Sequence, residues 1–286
     1  MVSREMRPKV IRIYSENNLF QHAQVLGENR VKRQRYREFF VEGVTSLNRA
    51  IENNWAIKFL LYSTQRRLSE WAKTIIENSQ AETHLELPLE LMAKLSEKEE
   101  PSELIAILSM PENDLSRIRV GKGFLAVVLD RPSNYGNLGA IIRSCDALNA
   151  DGLIITGHAV DGYDPRTIRA SVGSLFSIPV IILPSHKELT PWFAGIRDKI
   201  DDLQIVGTSA KSETDILGVN LTGPTVLVIG NETIGLSRNY KNICDAVIRI
   251  PTYGSATSLN VACATSIVLY EVDRQRRLSK RHSPVP

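Results

Sequence analysis

Four apolar runs in the C-terminal half constrain this chain more than any other feature. They are Phe124-Leu125-Ala126-Val127-Val128-Leu129, Gly152-Leu153-Ile154-Ile155, Pro179-Val180-Ile181-Ile182-Leu183 and Thr225-Val226-Leu227-Val228-Ile229. A strand with one wet face alternates polar and apolar residues; a strand buried on both faces does not. The four runs therefore predict an α/β fold, a mostly parallel sheet with helices on both faces. Helical patterns over 138–148 and 187–200 fall between the runs, where parallel crossovers need them.

Upstream, strand-like and helix-like segments alternate on a smaller scale. Phe39-Phe40-Val41, Ile57 to Tyr62, Leu85 to Leu87 and Leu104 to Leu108 read as strands, with helices over 44–53 and 68–77. This division predicts a basic, loosely ordered arm over 1–30 and a small α/β substrate-binding domain over 31–110. A linker over 111–122, a larger domain over 123–275 and a basic tail over 276–286 complete it.

Composition narrows the class. Of 286 residues, 43% are hydrophobic and 23% charged, the balance of a soluble globular protein. No run reaches the roughly 18 apolar residues of a membrane helix. Residues 1–14 are basic and lack an apolar core, so no secretory signal is expected. Cys145, Cys244 and Cys263 are far apart, with no CxxC pair. They fit a reducing cytoplasm, argue against a zinc site or disulfides, and lie in apolar stretches that predict burial.

The net charge of +3 is modest, but its distribution is uneven. Arg30, Lys32, Arg33, Arg35 and Arg37 crowd around Tyr36, and Arg274, Arg276, Arg277, Lys280 and Arg281 crowd the end. Such clusters either hold phosphate backbones or form a solvated helix face and a frayed tail.

Three polar motifs close the apolar runs, and open α/β sheets bind ligands at such strand ends. The first, Asn134-Tyr135-Gly136-Asn137-Leu138-Gly139-Ala140-Ile141-Ile142-Arg143, enters a helix with Leu138, Ile141, Ile142, Cys145 and Leu148 on its apolar face. Arg143 lies off that face, over the C-terminal edge of the sheet or in solvent; a surface pair with Asp146 is the plainer alternative. The second, Val228-Ile229-Gly230-Asn231-Glu232-Thr233-Ile234-Gly235-Leu236-Ser237, stands where a dinucleotide-binding glycine loop would. Glu232 replaces its middle glycine and would repel a pyrophosphate, which weakens a nicotinamide oxidoreductase reading. Glu232 suits a cationic or hydroxyl-bearing ligand, or serves as a helix N-terminal acid. The third runs from Ile250-Pro251-Thr252-Tyr253-Gly254 to Thr257-Ser258-Leu259-Asn260-Val261. Ser258 is either a site residue or merely a cap of the helix that follows, and Asn260, expected inside its first turn, would need a partner.

In this order and spacing the three motifs resemble those of the SpoU (TrmH-like) family of RNA ribose 2′-O-methyltransferases, in the SPOUT superfamily, over roughly residues 124–272. Arg169 to Pro179 resembles the segment before that family's next strand. Phe40-Val41-Glu42-Gly43 is similar to its small RNA-binding domain. The resemblance implies a C-terminal trefoil knot, a homodimer with its active site at the subunit interface, and S-adenosylmethionine as cofactor. It implies cofactor contacts from Thr208, Gly230, Gly235, Ile250 and Leu259. Arg143, Asn137, Glu232, Ser258 and Asn260 would be catalytic, with Arg143 in the place of the family's proposed base. A guanidinium keeps its proton far above neutral pH, so the chemistry favours Arg143 as a group that orients substrate and stabilises negative charge. The substrate implied is RNA, ribosomal before transfer RNA, in the cytoplasm, with no metal and no membrane. A catalytically silent RNA-binding assembly factor of the same fold is the alternative. Thr233 and Asn134 depart from the family's usual glycine and acid.

Overall fold

A computed structural model describes residues 8–282 except residue 97, with side chains as far as residue 280. The chain forms two compact units. One comprises the chain up to Pro111 together with Tyr163–Phe176; the other comprises Glu112–Gly162 and the chain from Ser177 onward.

The first unit contains β1 (Lys9–Arg12), α1 (Asn18–Glu28), α2 (Arg30–Tyr36), β2 (Glu38–Glu42), α3 (Val44–Glu52), β3 (Ile57–Tyr62), α4 (Glu70–Asn78), β4 (Thr83–Glu86), α5 (Leu89–Leu95) and β5 (Leu104–Ser109). Its sheet runs β1-β4-β3-β5-β2. The β1–β4 and β3–β4 pairs are parallel, and the β3–β5 and β2–β5 pairs antiparallel. Phe20, Leu26, Phe40, Leu61, Leu85, Ile105 and Ile107 fill its core.

Residues 8–30 are not a loose arm. Asn17 caps α1 by accepting from the amides of Leu19 and Phe20, and Phe20, Ala23 and Leu26 bury the helix's apolar stripe. Residues 1–7 lie outside the described chain. The basic cluster around α2 is likewise divided by packing. Arg33 is 1% exposed. It donates to the carbonyls of Leu26 at 2.9 Å and Gly27 at 3.0 Å, and to Asp164 Oδ2 at 2.9 Å.

The second unit opens with β6 (Leu125–Asp130), α6 (Tyr135–Ala147) and β7 (Gly152–Thr156). The chain then contributes α7 (Pro165–Ser171) and a short turn over Ser174–Phe176 to the first unit. Asp164 caps α7 through Arg166 N and receives Arg33. Burial would raise the Asp164 carboxyl, but hydrogen bonds from Arg166 and the charges of Arg33 and Arg166 outweigh it and hold it below the usual carboxylate range. Trp55 Nε1 donates to the Phe176 carbonyl at 3.0 Å, and the Phe39 ring lies 4.7 Å from Tyr163. Gly173, with φ +88°, has no room for a side chain, since a Cβ would stand 2.7 Å from Arg49 Cγ.

The second unit resumes with β8 (Val180–Leu183), α8 (Leu189–Arg197), β9 (Gln204–Thr208), β10 (Thr225–Ile229), α9 (Arg238–Ile243), β11 (Ala246–Ile248) and α10 (Val261–His282). Its sheet, β11-β9-β10-β6-β7-β8, is parallel at every pairing. The four apolar runs are β6, β7, β8 and β10, and every residue of β6, β7 and β10 is buried. Phe124, Ala126, Val128, Ile154, Ile181, Phe193, Ile205, Val226 and Tyr240 belong to one core cluster. Helices α6 and α10 pack together, with Ser144 Oγ and Ser266 Oγ 2.7 Å apart.

Three further expectations change on folding. The sequence predicts a linker over 111–122; the unit boundary falls at Pro111–Glu112, and Ile118, 3% exposed, belongs to the second unit's core, so the segment from Glu112 is part of that unit. The described part of the tail, residues 276–282, is about the last two turns of α10. Arg276 there donates to the carbonyls of Gly123, Phe124 and Gly223 at 2.6–3.0 Å. The Arg281 side chain and residues 283–286 fall outside the described chain. Cys145 is buried, Cys244 half-buried and Cys263 exposed, so the expected burial fails for Cys263. Among the described residues no helix is long and apolar enough to cross a membrane.

Candidate functional site

The C-terminal ends of the parallel strands converge, and the three polar motifs lie at those ends. The first leaves β6 through Pro132 and Ser133. Asn134, in the position of the family's acid, is the N-cap of α6, its Oδ1 accepting from Asn137 N at 2.9 Å. The predicted apolar face is buried at Leu138, Ile141, Ile142 and Cys145. Each large side chain so buried contributes about 1.5–3 kcal/mol and fixes the helix's rotation about its axis. Leu148 is only half-buried, and Arg143 is left exposed. Arg143 forms no ion pair among the described residues, Asp146 included.

The second motif folds back on itself at the end of β10. Gly230 packs so closely on the returning chain that a Cβ would stand 2.3 Å from Gly235 C and Leu236 N. Only glycine fits there, and Gly235 takes φ +68°. Asn231 organises the loop. Its backbone pairs with Gly235 through bonds of 3.1 and 2.8 Å. Its Oδ1 accepts from Thr233 N at 2.9 Å and Ile234 N at 3.1 Å, and its Nδ2 donates to the Arg131 carbonyl at 2.7 Å. Glu232 is not a helix N-terminal acid, because α9 starts at Arg238 with Ser237 as its cap. Its carboxylate instead accepts from Ser133 N at 3.2 and 3.3 Å and from Ser133 Oγ at 2.9 Å. The second motif is thus tied to the first.

The third motif is tied to the first as well. Asn260 is not inside the helix. It precedes α10 as the cap, Oδ1 accepting from Ala262 N at 2.9 Å and Cys263 N at 3.3 Å. Its Nδ2 donates to Asn137 Oδ1 at 3.1 Å. Ser258, for which capping was the plainer alternative, does not cap α10 and lies exposed two residues earlier.

These loops line a half-open cavity of about 650 Å³. Thr208, Gly230, Gly235, Ile250 and Leu259 line it, as do Asn137, Glu232, Ser258 and Asn260. Arg143 does not. Sequence reasoning missed Ser133 and Asn231, which shape the site, and the exposed Lys211 and Lys241, which line it. Asn231 carried a signal, since asparagine ending a strand run before a glycine loop favours an amide-capped turn. The lysines carried none, because distant parts of the chain bring them to the rim.

A nucleoside attached to a sulfonium fits this lining. The volume lies within the range of small-molecule sites, and Ile229, Leu236, Ile250 and Leu259 offer apolar walls for a purine. Glu232 is the sole carboxylate among the described lining residues, a favourable neighbour for a cationic sulfur. Among the described residues no group of three or more His, Cys, Asp or Glu is placed to hold a metal ion.

A parallel sheet that gathers three polar loops around one nucleoside-sized cavity defines an α/β enzyme built for a nucleoside-containing cofactor. The chain belongs to the SpoU rRNA Methylase family, whose signature matches residues 124–270, and the SpoU L30e-like domain matches residues 17–106. A 23S rRNA (uridine(2479)-2′-O)-methyltransferase of Streptomyces viridochromogenes is 44% identical over 99% of this chain and 98% of its own length. The 23S rRNA (guanosine(2553)-2′-O)-methyltransferase RlmP of Bacillus subtilis (strain 168) is 26% identical over 82% of this chain and 88% of its own. Among solved structures, the SpoU methyltransferase AviRb from Streptomyces viridochromogenes in complex with AdoMet superposes with a TM-score of 0.88. It is 44% identical, with 92% of this chain and 99% of that chain covered.

Proposed function

We propose that this protein transfers a methyl group from S-adenosylmethionine to a ribose 2′-hydroxyl of ribosomal RNA. The observation that carries the reading is the joining of all three motifs at one cavity, through Asn260–Asn137 and Glu232–Ser133. Bound S-adenosylmethionine supplies an electrophilic methyl group. The chain supplies the rest. Thr208, Gly230, Gly235, Ile250 and Leu259 form the cofactor's walls. Asn137 and Asn260 hold the ribose at the cavity mouth, and Glu232 fixes the loop between them. Arg143 orients the target phosphate and stabilises the charge that develops on the 2′-oxygen as its proton passes to water, the O–CH3 bond forming as the S–CH3 bond breaks to release S-adenosylhomocysteine.

Arg143 is exposed and does not line the cavity of its own chain. A homodimer with the active site at the subunit interface accounts for this. Exposed Ile267 and Tyr270 on α10 support such an interface. The close stacking of Gly230 on Gly235–Leu236 supports the trefoil knot that the family resemblance implies. The small domain and the cationic residues still exposed on α2 would hold folded RNA through phosphates and 2′-hydroxyls. The cytoplasm suits an rRNA substrate and three unpaired cysteines.

The test is methyl transfer from labelled cofactor to ribosomal RNA from a strain lacking the protein, followed by mapping of the 2′-O-methylated nucleotide. One modified ribosomal position is the expected result. RNA binding without transfer would select the silent assembly factor, and failure to bind S-adenosylhomocysteine in calorimetry would end the proposal.

A further inference from the structure

Between Pro251 and α10 the chain runs through nine consecutive exposed residues, 252–260. Most are small or hydroxylic, but one is an aromatic residue. Tyr253 is 96% exposed, more than any other large hydrophobic side chain described. Its ring stacks on no other ring, and its hydroxyl has no hydrogen-bond partner among the described residues. A tyrosine so placed adds nothing to the fold, since neither its apolar body nor its polar tip is used. Its position is not neutral, however. Thr252 on one side, and Thr257, Ser258 and Leu259 on the other, line the cofactor cavity.

We propose that Tyr253 is the platform on which the target nucleobase stacks while its ribose is presented to the cavity. This rests on the methyltransferase reading above. A ribose that enters between Asn137 and Asn260 must leave its place in a folded RNA, and its base loses a stacked neighbour on doing so. A free aromatic face one residue along the chain from Thr252, which lines the cavity, restores that neighbour. Stacking makes no demand on base identity, so Tyr253 governs capture of the extruded nucleotide rather than its sequence. Leu259, 38% exposed, and Ile234, 68% exposed, offer apolar surface on the same cavity but no π-face. Tyr253 is a positioning residue; it touches the base, not the reacting atoms.

The experiment compares wild type with Tyr253→Leu, Tyr253→Phe and Tyr253→Trp on the rRNA fragment that wild type methylates. Tyr253→Leu is expected to raise KM for RNA about tenfold, with the affinity for S-adenosylhomocysteine unchanged. Phenylalanine and tryptophan should keep KM within about threefold of wild type, since both retain the π-face. An unchanged KM in Tyr253→Leu overturns the inference. So does an equal loss in Tyr253→Phe, which would assign the role to the hydroxyl. A change in solution mass or in cofactor affinity in Tyr253→Leu would place the ring in a subunit contact or in the cofactor wall, and overturns it too. Failure of wild type to methylate any rRNA would instead remove the reading beneath it.

Discussion

Replacing Asn260 by alanine removes the cap acceptor for the amides of Ala262 and Cys263 and the donor to Asn137 Oδ1. The cap, on an exposed helix end, contributes about 1 kcal/mol. The amide bond to Asn137, also exposed, adds about 0.5–1 kcal/mol. Together they predict a loss of about 1.5–2 kcal/mol, roughly 3–8 °C in Tm for a domain of this size. Serine separates the two roles. It caps α10 nearly as well as asparagine but is too short to reach Asn137, so Asn260→Ser should recover about 1 kcal/mol. In turnover the two variants should not differ. Both leave Asn137 untethered at the cavity mouth, and a misplaced ribose costs between about tenfold and a hundredfold. Calorimetric unfolding and single-turnover methyl transfer at saturating cofactor provide the two readings. Equal Tm for alanine and serine would deny the cap, and wild-type turnover in Asn260→Ser would deny that the Asn260–Asn137 link positions anything.

Arg143→Ala should lower turnover by orders of magnitude while S-adenosylhomocysteine still binds, because Arg143 does not line the cavity; near-normal turnover would refute its assignment. Arg33→Met should cost the first unit about 3 kcal/mol, the lower end for breaking a buried pair, since Arg166 still neutralises Asp164; a urea midpoint within error of wild type would contradict this. His84 is buried with Nε2 unpartnered, and burial lowers its pKa from the usual 6.5. The unfolded chain therefore takes up that proton more readily, so the contribution is whole above about pH 6.5 and is lost as pH falls below it, by at most about 1.4 kcal/mol per pH unit. Stability measured from pH 7.5 to 5 should slope less in His84→Phe than in wild type, and identical slopes would exclude His84 as the cause.

The sheet of the second unit was legible because its signal is local. A strand buried on both faces must be apolar throughout, and β6, β7, β8 and β10 are recognisable without knowing their neighbours. The buried face of α6 was legible for the same reason, as periodicity alone places Ile141, Ile142 and Cys145 together. The cavity lining at Thr208, Gly230, Ile250 and Leu259 was legible only through the family resemblance that the three motifs carry. The roles within the loops were less legible. Ser258 and Asn260 are both good caps, and which one serves depends on where α10 can start once it packs on α6. Glu232 reads as a helix-end acid in isolation and is a partner of Ser133 in the fold, 99 residues away in sequence.

What the sequence by itself determined was the alternation of elements, the parallel sheet, and the three polar loops that must meet at its strand ends. Only the tertiary structure decided which charges are spent on the fold. Arg33 looked like one of five cations awaiting phosphate, and is buried against Asp164. Arg276 looked like part of a frayed tail, and holds three carbonyls at the start of β6 and before β10. A guanidinium's composition and local spacing are the same in either case. Its use depends on whether unpaired carbonyls or a buried carboxylate lie within reach, and that is set by chain segments brought together from as many as 153 residues apart.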